Sequence, residues 1–290
     1  MDPFVGIILI NYNSIEHTEE CVKSLRSMDY DNFAIIVVDN CSRDAQSLKV
    51  HEYLSRTCDI VLSDKNEGFA AGNNIGIAYA QEKYNPEFYW ILNNDTVVEP
   101  SCLRKMIEAC KNSADKVGLV TNRINYYSQR DKTDYRGGYF DWEVGVAGYY
   151  DVTVPVRDNI SFASGCSWLI PCQTLQDVGY MDESFFMYCE DVDYCCRILL
   201  NNYKILYCDQ GVIYHKISAS NGAGSPFNQY YIIRNSMHII RRYAKKKWRG
   251  YVNYTKNIAR EILSQQKSIQ VAVKAYRAFI KNEMGRNEEY

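Results

Sequence analysis

The run Phe88-Tyr89-Trp90-Ile91-Leu92-Asn93-Asn94-Asp95 sets three oxygen-rich side chains directly after five apolar or aromatic residues. A short apolar run of this kind reads as a buried strand. In open α/β sheets ligands bind just outside the carboxyl ends of the strands. A lone carboxylate there, flanked by amides, suits a hard divalent cation carrying a phosphate ligand. Asp95 is therefore a candidate metal ligand, with Asn93 and Asn94 as hydrogen-bonding groups for sugar or phosphate. A strand-end turn favours the same residue types.

Further positions carry groups able to do chemistry. Asp39-Asn40 closes a β-branched run. An acid at a strand end can accept hydrogen bonds from a nucleobase or a ribose hydroxyl, although turns and helix N-caps use the same residues. In Asn66-Glu67-Gly68-Phe69-Ala70-Ala71-Gly72-Asn73-Asn74-Ile75-Gly76 the glycines fall four apart. A helix face without side chains admits a ligand or another backbone. The spacing is neither the dinucleotide G-x-G-x-x-G nor a Walker loop. Tight packing of helix on sheet is the competing reading, yet Asn66, Asn73 and Asn74 supply polar groups that packing does not need. Glu190-Asp191 follow an aromatic run and open a helical pattern. A helix N-terminus stabilises acids by itself. The functional alternative is a general base held at a pocket wall. Asp193 and Arg197, at i and i+4, read as a surface pair. His215 ends a strand and is either a metal ligand or a structural histidine. His17, His51 and His238 sit in helical patterns as surface or capping residues. Arg241-Arg242-Tyr243-Ala244-Lys245-Lys246-Lys247-Trp248-Arg249 holds six positive charges in nine residues. It could meet anionic lipid headgroups or form a solvated helix end.

The elements that must position these groups follow from periodicity. Strands are expected at 4–10, 33–38, 60–62, 88–92 and 117–121, and helices at 16–28, 42–54, 68–84 and 101–112. Strand alternating with helix predicts an α/β fold, with a mainly parallel sheet flanked by helices on both faces. Asn11, Asp39 and Asn93-Asn94-Asp95 then emerge together at one edge of that sheet. Residues 122–158, rich in Tyr and Gly, read as irregular structure and short strands. A β element follows at 160–170, broken at Ser164-Gly165, then a helix at 190–200 and short strands at 205–207 and 212–215. From Pro226 the chain reads as helical, through 235–243 and again over 251–284.

Bulk properties bound the possibilities. The 290 residues allow one large domain or two small ones. A composition 47% hydrophobic and 23% charged is that of a soluble globular protein. The formal net charge of −2 argues against nucleic acid as a partner. The 25 tyrosines offer amphipathic surfaces suited to sugar, and equally to core and interface. The eleven cysteines form no C-x-x-C and no zinc spacing, so they read as free thiols in a reducing compartment. Asp2 and Pro3 precede the first apolar run without a basic n-region, and no apolar stretch nears the ~18 residues of a membrane span. A cytoplasmic location is expected.

The order of these pieces resembles family 2 glycosyltransferases, whose fold is named GT-A. The resemblance rests on Ile10-Asn11-Tyr12-Asn13, Val37-Val38-Asp39-Asn40-Cys41-Ser42, Asn66-Glu67-Gly68-Phe69 with Gly72-Asn73-Asn74, Leu92-Asn93-Asn94-Asp95 and Glu190-Asp191. Five motifs in register cover about residues 4 to 243. They look closest to the bacterial branch labelled rhamnosyltransferase-like, in which Tyr230-Tyr231-Ile232-Ile233-Arg234-Asn235 also has a counterpart.

The resemblance implies an inverting transfer from a nucleotide-diphospho-sugar, with UDP or dTDP as the nucleotide, to a glycan or lipid-linked acceptor in surface polysaccharide synthesis. Asn11, Asp39, Asn66, Gly68, Asn73, Asn93 and Asn94 would bind the donor. Asp95, with His215 as a further ligand, would hold Mn²⁺ or Mg²⁺ on the diphosphate. Asp191 would be the general base, with Glu190 orienting it or touching the acceptor. Gly165 and Trp168, in Ala163-Ser164-Gly165-Cys166-Ser167-Trp168, would line the acceptor pocket. Residues 1–121 would form the nucleotide-sugar half, 122–225 the acceptor and catalytic-base half of the same domain, and 226–290 a helical extension. The basic segment 241–249 would touch the inner face of the plasma membrane. One departure stands out: Asn93 occupies the first place of an Asp-x-Asp motif, leaving Asp95 as its only carboxylate. The rival readings are a sugar nucleotidyltransferase, whose G-x-G-T-R loop is replaced here by Asn11-Tyr12-Asn13-Ser14, and a catalytically silent nucleotide-sugar-binding partner.

Overall fold

The computed structural model describes residues 2–43, 52, 54–154, 159–216 and 224–290. The helix expected at 42–54 falls almost wholly outside the described residues, as does His51.

Strand β1 (Val5–Asn11), helix α1 (Ile15–Leu25), β2 (Phe33–Asp39), β3 (Asp59–Leu62), α2 (Phe69–Tyr84) and β4 (Phe88–Asn93) follow one another as the periodicity predicts. The four strands are parallel and lie in the order β3-β2-β1-β4. The period of two along β1 divides its side chains between two cores. Val5, Ile7 and Leu9 pack with Cys21, Val22 and Leu25 of α1 on one face. Ile8 packs with Ala70 and Ile77 of α2 on the other. A Cβ at Gly76 would stand 2.5 Å from Ile8 Cγ2, and one at Gly72 3.0 Å from Ile10 Cδ1. At these two glycines the bare helix face serves close approach to the sheet.

Past β4 comes a three-residue strand, β5 (Thr96–Val98), that the sequence did not suggest; α3 (Cys102–Asn112) follows as expected. The next strand, β6 (Val117–Tyr126), runs beyond its expected end at 121 and turns back into β7 (Gln129–Tyr135). A separate two-stranded sheet, β8 (Gly138–Asp141) with β9 (Val146–Tyr149), and the short β10 (Asn159–Ile160) complete the region read as irregular. Strand β11 (Ser167–Pro171) inserts antiparallel between β4 and β6, making the sheet mixed on this side. Helix α4 (Cys172–Val178), unforeseen in the sequence, leads to α5 (Glu190–Leu200). The strands expected at 205–207 and 212–215 are one bulged strand, β12 (Lys204–His215), parallel to β6.

The chain ends in α6 (Pro226–Tyr243), α7 (Lys247–Leu263) and α8 (Ile269–Ile280). The single helix expected over 251–284 is thus two helices, because Ser268 caps the second through the Val271 N–H at 3.5 Å.

Two residues expected at the surface are interior. Asp193 has a side chain only 1% exposed. It accepts hydrogen bonds from Arg197 Nε (2.9 Å), Arg242 Nη1 (2.7 Å) and Tyr243 Oη (2.6 Å). Spacing of i and i+4 identified its partner on α5 but could not see that α6 crosses over the pair. His238 is fully buried, and its Nδ1 accepts from Arg241 at 2.7 Å. Burial, followed by the charges of Arg241, Arg234 and Arg242, lowers its pKa to about 4, so the ring is neutral. All eleven cysteines are free thiols, as expected.

Candidate active site

The carboxyl ends of β1, β2 and β4 bring their polar residues together. Register pairs Asn11 with Asp39 and Ile10 with Asn93. Asn11 is buried and sits at the centre of a relay. Its Nδ2 donates to Asp39 Oδ1 (3.5 Å) and Ser42 Oγ (3.2 Å), and its Oδ1 accepts from Thr18 Oγ1 (2.9 Å). Thr18 Oγ1 in turn accepts from Asn94 Nδ2 (2.8 Å). Asp39 Oδ1 also takes the Ser42 N–H (3.2 Å) and hydroxyl (2.5 Å). Asn66 Oδ1 accepts from Asn40 Nδ2 and from the Gly68 N–H, each at 3.0 Å. Asn93, partly exposed at the end of β4, donates its backbone N–H to the Cys166 carbonyl (2.9 Å). Thr18 joins this edge without having been singled out in the sequence; it is a buried polar residue of α1 facing the strand ends.

Asp95 and His215 face each other because β5 pairs with the end of β12, setting His215 opposite Thr96. His215 Nε2 lies 3.2 Å from Asp95 Oδ1, with side chains 18% and 17% exposed. Burial would raise the Asp95 pKa, but the hydrogen bond and charge from His215 outweigh it and hold the carboxyl below its ordinary value. Lys216 donates its N–H to the Asp95 carbonyl (3.0 Å), and its Nζ reaches Glu20 (2.5 Å) and His17 Nδ1 (3.1 Å). Among the described residues no group of three or more His, Cys, Asp or Glu could hold a metal. A carboxylate oxygen and an imidazole nitrogen converging on one half-open point nevertheless fit a divalent ion that takes its other ligands from phosphate and water.

Three residues assigned from the sequence do different work. A Cβ at Gly68 would lie 1.7 Å from the Phe186 carbonyl oxygen, and its φ of +95° is one that side chains avoid. The missing side chain makes room for the chain ahead of Glu190-Asp191, tied there by the Phe69 N–H to the same carbonyl (3.0 Å). Asn73 is 1% exposed and bonds back to the Phe69 carbonyl of its own helix (3.0 Å), so it does not reach a donor. Trp168 is fully buried within the sheet, stacked on Tyr194 with centroids 5.6 Å apart, and supports the pocket wall instead of lining it. Gly165 lies beside Asp191: its N–H donates to Asp191 Oδ2 at 3.4 Å.

Glu190 and Asp191 open α5 after two residues in left-handed conformation, Tyr188 (φ 67°) and Cys189 (φ 69°). Non-glycine residues hold that conformation at a cost of about 1–3 kcal/mol each unless their surroundings impose it. The imposing group is Asn235, fully buried on α6, whose Nδ2 donates to the carbonyls of Met187 (2.9 Å) and Tyr188 (2.8 Å). Arg234, beside the rings of Tyr230 and Tyr231, fixes Asn235 Oδ1 at 2.9 Å. Asn235 was not singled out for a role in the sequence; its signal was a buried polar pair, Arg234-Asn235, on the apolar side of a helix. Burial raises the Asp191 pKa to about 6, against the N–H groups of Val192 and Gly165, which lower it. Glu190 lies well above the ordinary carboxylate range through burial and then the Asp191 charge, and its Oε2 has no hydrogen-bond partner. Glu190 is buried, whereas Asp191 is partly exposed. The pair thus sets a partly exposed carboxylate beside a buried one whose charged form is disfavoured.

A twisted α/β sheet ending in donor-type polar residues, with a separate carboxylate on α5, is the GT-A glycosyltransferase fold. The sequence profile of "Glycosyl transferase family 2" matches residues 6–179, so the chain belongs to that family. It is 28% identical over 216 residues to the low-salt glycan biosynthesis hexosyltransferase Agl10 of Haloferax volcanii, covering 70% of this chain and 64% of that protein. It is 25% identical over 219 residues to the rhamnosyltransferase WbbL of Escherichia coli K12, covering 70% of this chain and 80% of that one. Among solved structures, the mannosyltransferase of Pyrobaculum calidifontis in complex with GDP-Man and Mn²⁺ superposes with a TM-score of 0.61 at 14% identity, covering 96% of this chain and 80% of that chain.

Proposed function

We propose that the protein moves a sugar, with inversion, from a nucleotide-diphospho-sugar to a hydroxyl of a glycan or lipid-linked acceptor in surface polysaccharide synthesis. The observation that carries this reading is the separation of two chemistries. The donor edge at the ends of β1, β2 and β4 is one cluster, and Asp191, a carboxylate raised to about 6, is another on α5. Breaking the glycosidic bond leaves negative charge on the diphosphate, while the attacking hydroxyl must lose a proton on the other side of the sugar. Asp39 is the base or ribose contact, held by the buried Asn11, and Asn93 and Asn94 face the sugar and phosphates with UDP or dTDP as the nucleotide. Asp95 and His215 are the residues that would hold Mn²⁺ or Mg²⁺, which would offset the diphosphate charge. Residues 1–121 serve the donor and 122–225 the acceptor and base.

Among the described residues no helix is long and apolar enough to cross a membrane. Within 241–249, Arg242 is spent on Asp193 and Asp182. A peripheral contact with the inner face of the plasma membrane would rest on Lys247, Arg249 and Trp248, the last 69% exposed.

Asp191→Asn tests the reading. We expect stabilisation by a nucleotide-sugar to persist while transfer falls at least ~100-fold, the scale of a lost general base. Near-normal turnover would remove Asp191 as the base, and a product of retained anomeric configuration in the NMR spectrum would remove inversion.

A further inference from the structure

A cavity of about 500 Å³ opens beside Asp191, within the range of small-molecule sites, about 300–1,000 Å³. It is built by the turn and strand at 145–149, Phe162, the lead-in loop and first turn of α5 from Tyr188 to Val192, helices α6 and α7, and Lys267. Both helices lie outside residues 6–179, the span matched by the family. Gly250 seats α7 on the turn: a Cβ there would meet the Val144 carbonyl oxygen at 2.3 Å.

Its chemistry is one-sided. Val146, Ala147, Val192, Ile232, Ile239 and Ile258 make an apolar floor. Tyr149 and Phe162, stacked at 5.7 Å with 12° between planes, make an aromatic wall, and Tyr149 is 58% exposed. The polar groups include Ser236, Asn253, Asn257 and Asp191, with the Tyr188 and Tyr254 side chains beside them. The cation of the lining, Lys267, is paired with Glu261 at 3.3 Å. An anionic guest would meet Asp191 and Glu261, and Lys267, the one cation among the described residues of the lining, is already taken. A ring with one apolar face, hydroxyls at its edge and a methyl for the floor satisfies every part.

We infer that this cavity is the acceptor subsite and that it takes an uncharged hexopyranose bearing a methyl group, as a 6-deoxy or N-acetyl sugar does. The inference rests on Asp191 being the base, since the cavity places a bound hydroxyl beside that carboxylate. Helix α7 is then the specificity element, with Asn253 and Asn257 reading the ring hydroxyls.

The test uses the full chain and four probes of one stereochemical series: the methyl glycosides of N-acetylglucosamine, 6-deoxyglucose, glucose and glucuronic acid. Binding is followed by saturation-transfer NMR. We expect the first two to bind at least tenfold more tightly than glucose, with transfer strongest at the N-acetyl or C6 methyl, and the glucuronide to bind most weakly. Asn257→Trp, on the solvent side of α7, should weaken the two preferred probes at least tenfold while a nucleotide-sugar still raises the melting temperature. Equal binding of the glucuronide, binding indifferent to Asn257→Trp, or no binding of any probe overturns the inference. A chain that binds the probes but is stabilised by no nucleotide-sugar contradicts the proposed function and leaves the subsite standing.

Discussion

The donor edge and the base loop solve the same problem by opposite means. At the donor edge, Asn11, Asp39 and Asn93 sit at the ends of adjacent parallel strands, and the sheet register alone brings them together. Their bonds to Thr18 and Ser42 span a few tens of residues at most. The base loop has no such frame. Tyr188 and Cys189 stand in left-handed backbone; Asn235, almost fifty residues ahead, holds the Met187 and Tyr188 carbonyls, and the Phe69 N–H beside Gly68, more than a hundred residues behind, holds that of Phe186. Geometry at the donor edge comes from secondary structure, and geometry at the base comes from tertiary clamps. A single side-chain change should therefore cost more at the second than at the first.

The sharpest way to break this comparison is Gly68→Ala. A Cβ at 1.7 Å from the Phe186 carbonyl, on a φ of +95°, adds overpacking to backbone strain. The two together should cost about 3–5 kcal/mol in urea unfolding, with loss of transfer. Next is Asn235→Ala, which strips the Met187 and Tyr188 carbonyls of their shared donor. We expect a loss of about 2–3 kcal/mol and a kcat reduced more than tenfold, with nucleotide-sugar affinity unchanged. Asn11→Ala should cost less, about 1–2 kcal/mol, and should show in donor affinity before kcat. If it lowers kcat as far as Asn235→Ala does at equal donor saturation, the division between the two regions fails. Smallest in stability is His215→Ala, since the pair with Asp95 is a single hydrogen bond with a net contribution of about 1 kcal/mol. Its readout is ionic: at least tenfold more Mn²⁺ should be needed for the same thermal stabilisation by a nucleotide-sugar.

The same contrast explains what the sequence disclosed. Strand ends at Asn11, Asp39 and Asn93 were legible because an apolar run that stops at an amide or acid is a local pattern. Gly72 and Gly76 were visible as a bare face, though not whether sheet or ligand would fill it. The clamps were not visible. Asn235 reads as one more helical polar residue, and Gly68 as one more glycine of the face, until α6 and the Phe186 carbonyl are in place. Asp193 looked like an i, i+4 surface pair because only the fold lays Arg242 and Tyr243 across it. Strand β7, Gln-Arg-Asp-Lys-Thr-Asp-Tyr, carries no apolar alternation and exists by pairing with β6. Trp168 was drawn into the pocket by its neighbour Gly165, when strand alternation turns its ring into the core.

We propose that Asp191 is a base tuned by burial. Burial disfavours its charged form, so the proton is held until about pH 6 instead of leaving near the ordinary carboxylate value. The unprotonated form is the active one, so activity is lost as pH falls through that point. The direct measurement is kcat/KM against pH at fixed saturating Mn²⁺. An acidic limb of unit slope should break near pH 6 and be absent from the residual activity of Asp191→Asn. A profile flat down to pH 4.5, or a limb that persists in the variant, would contradict it.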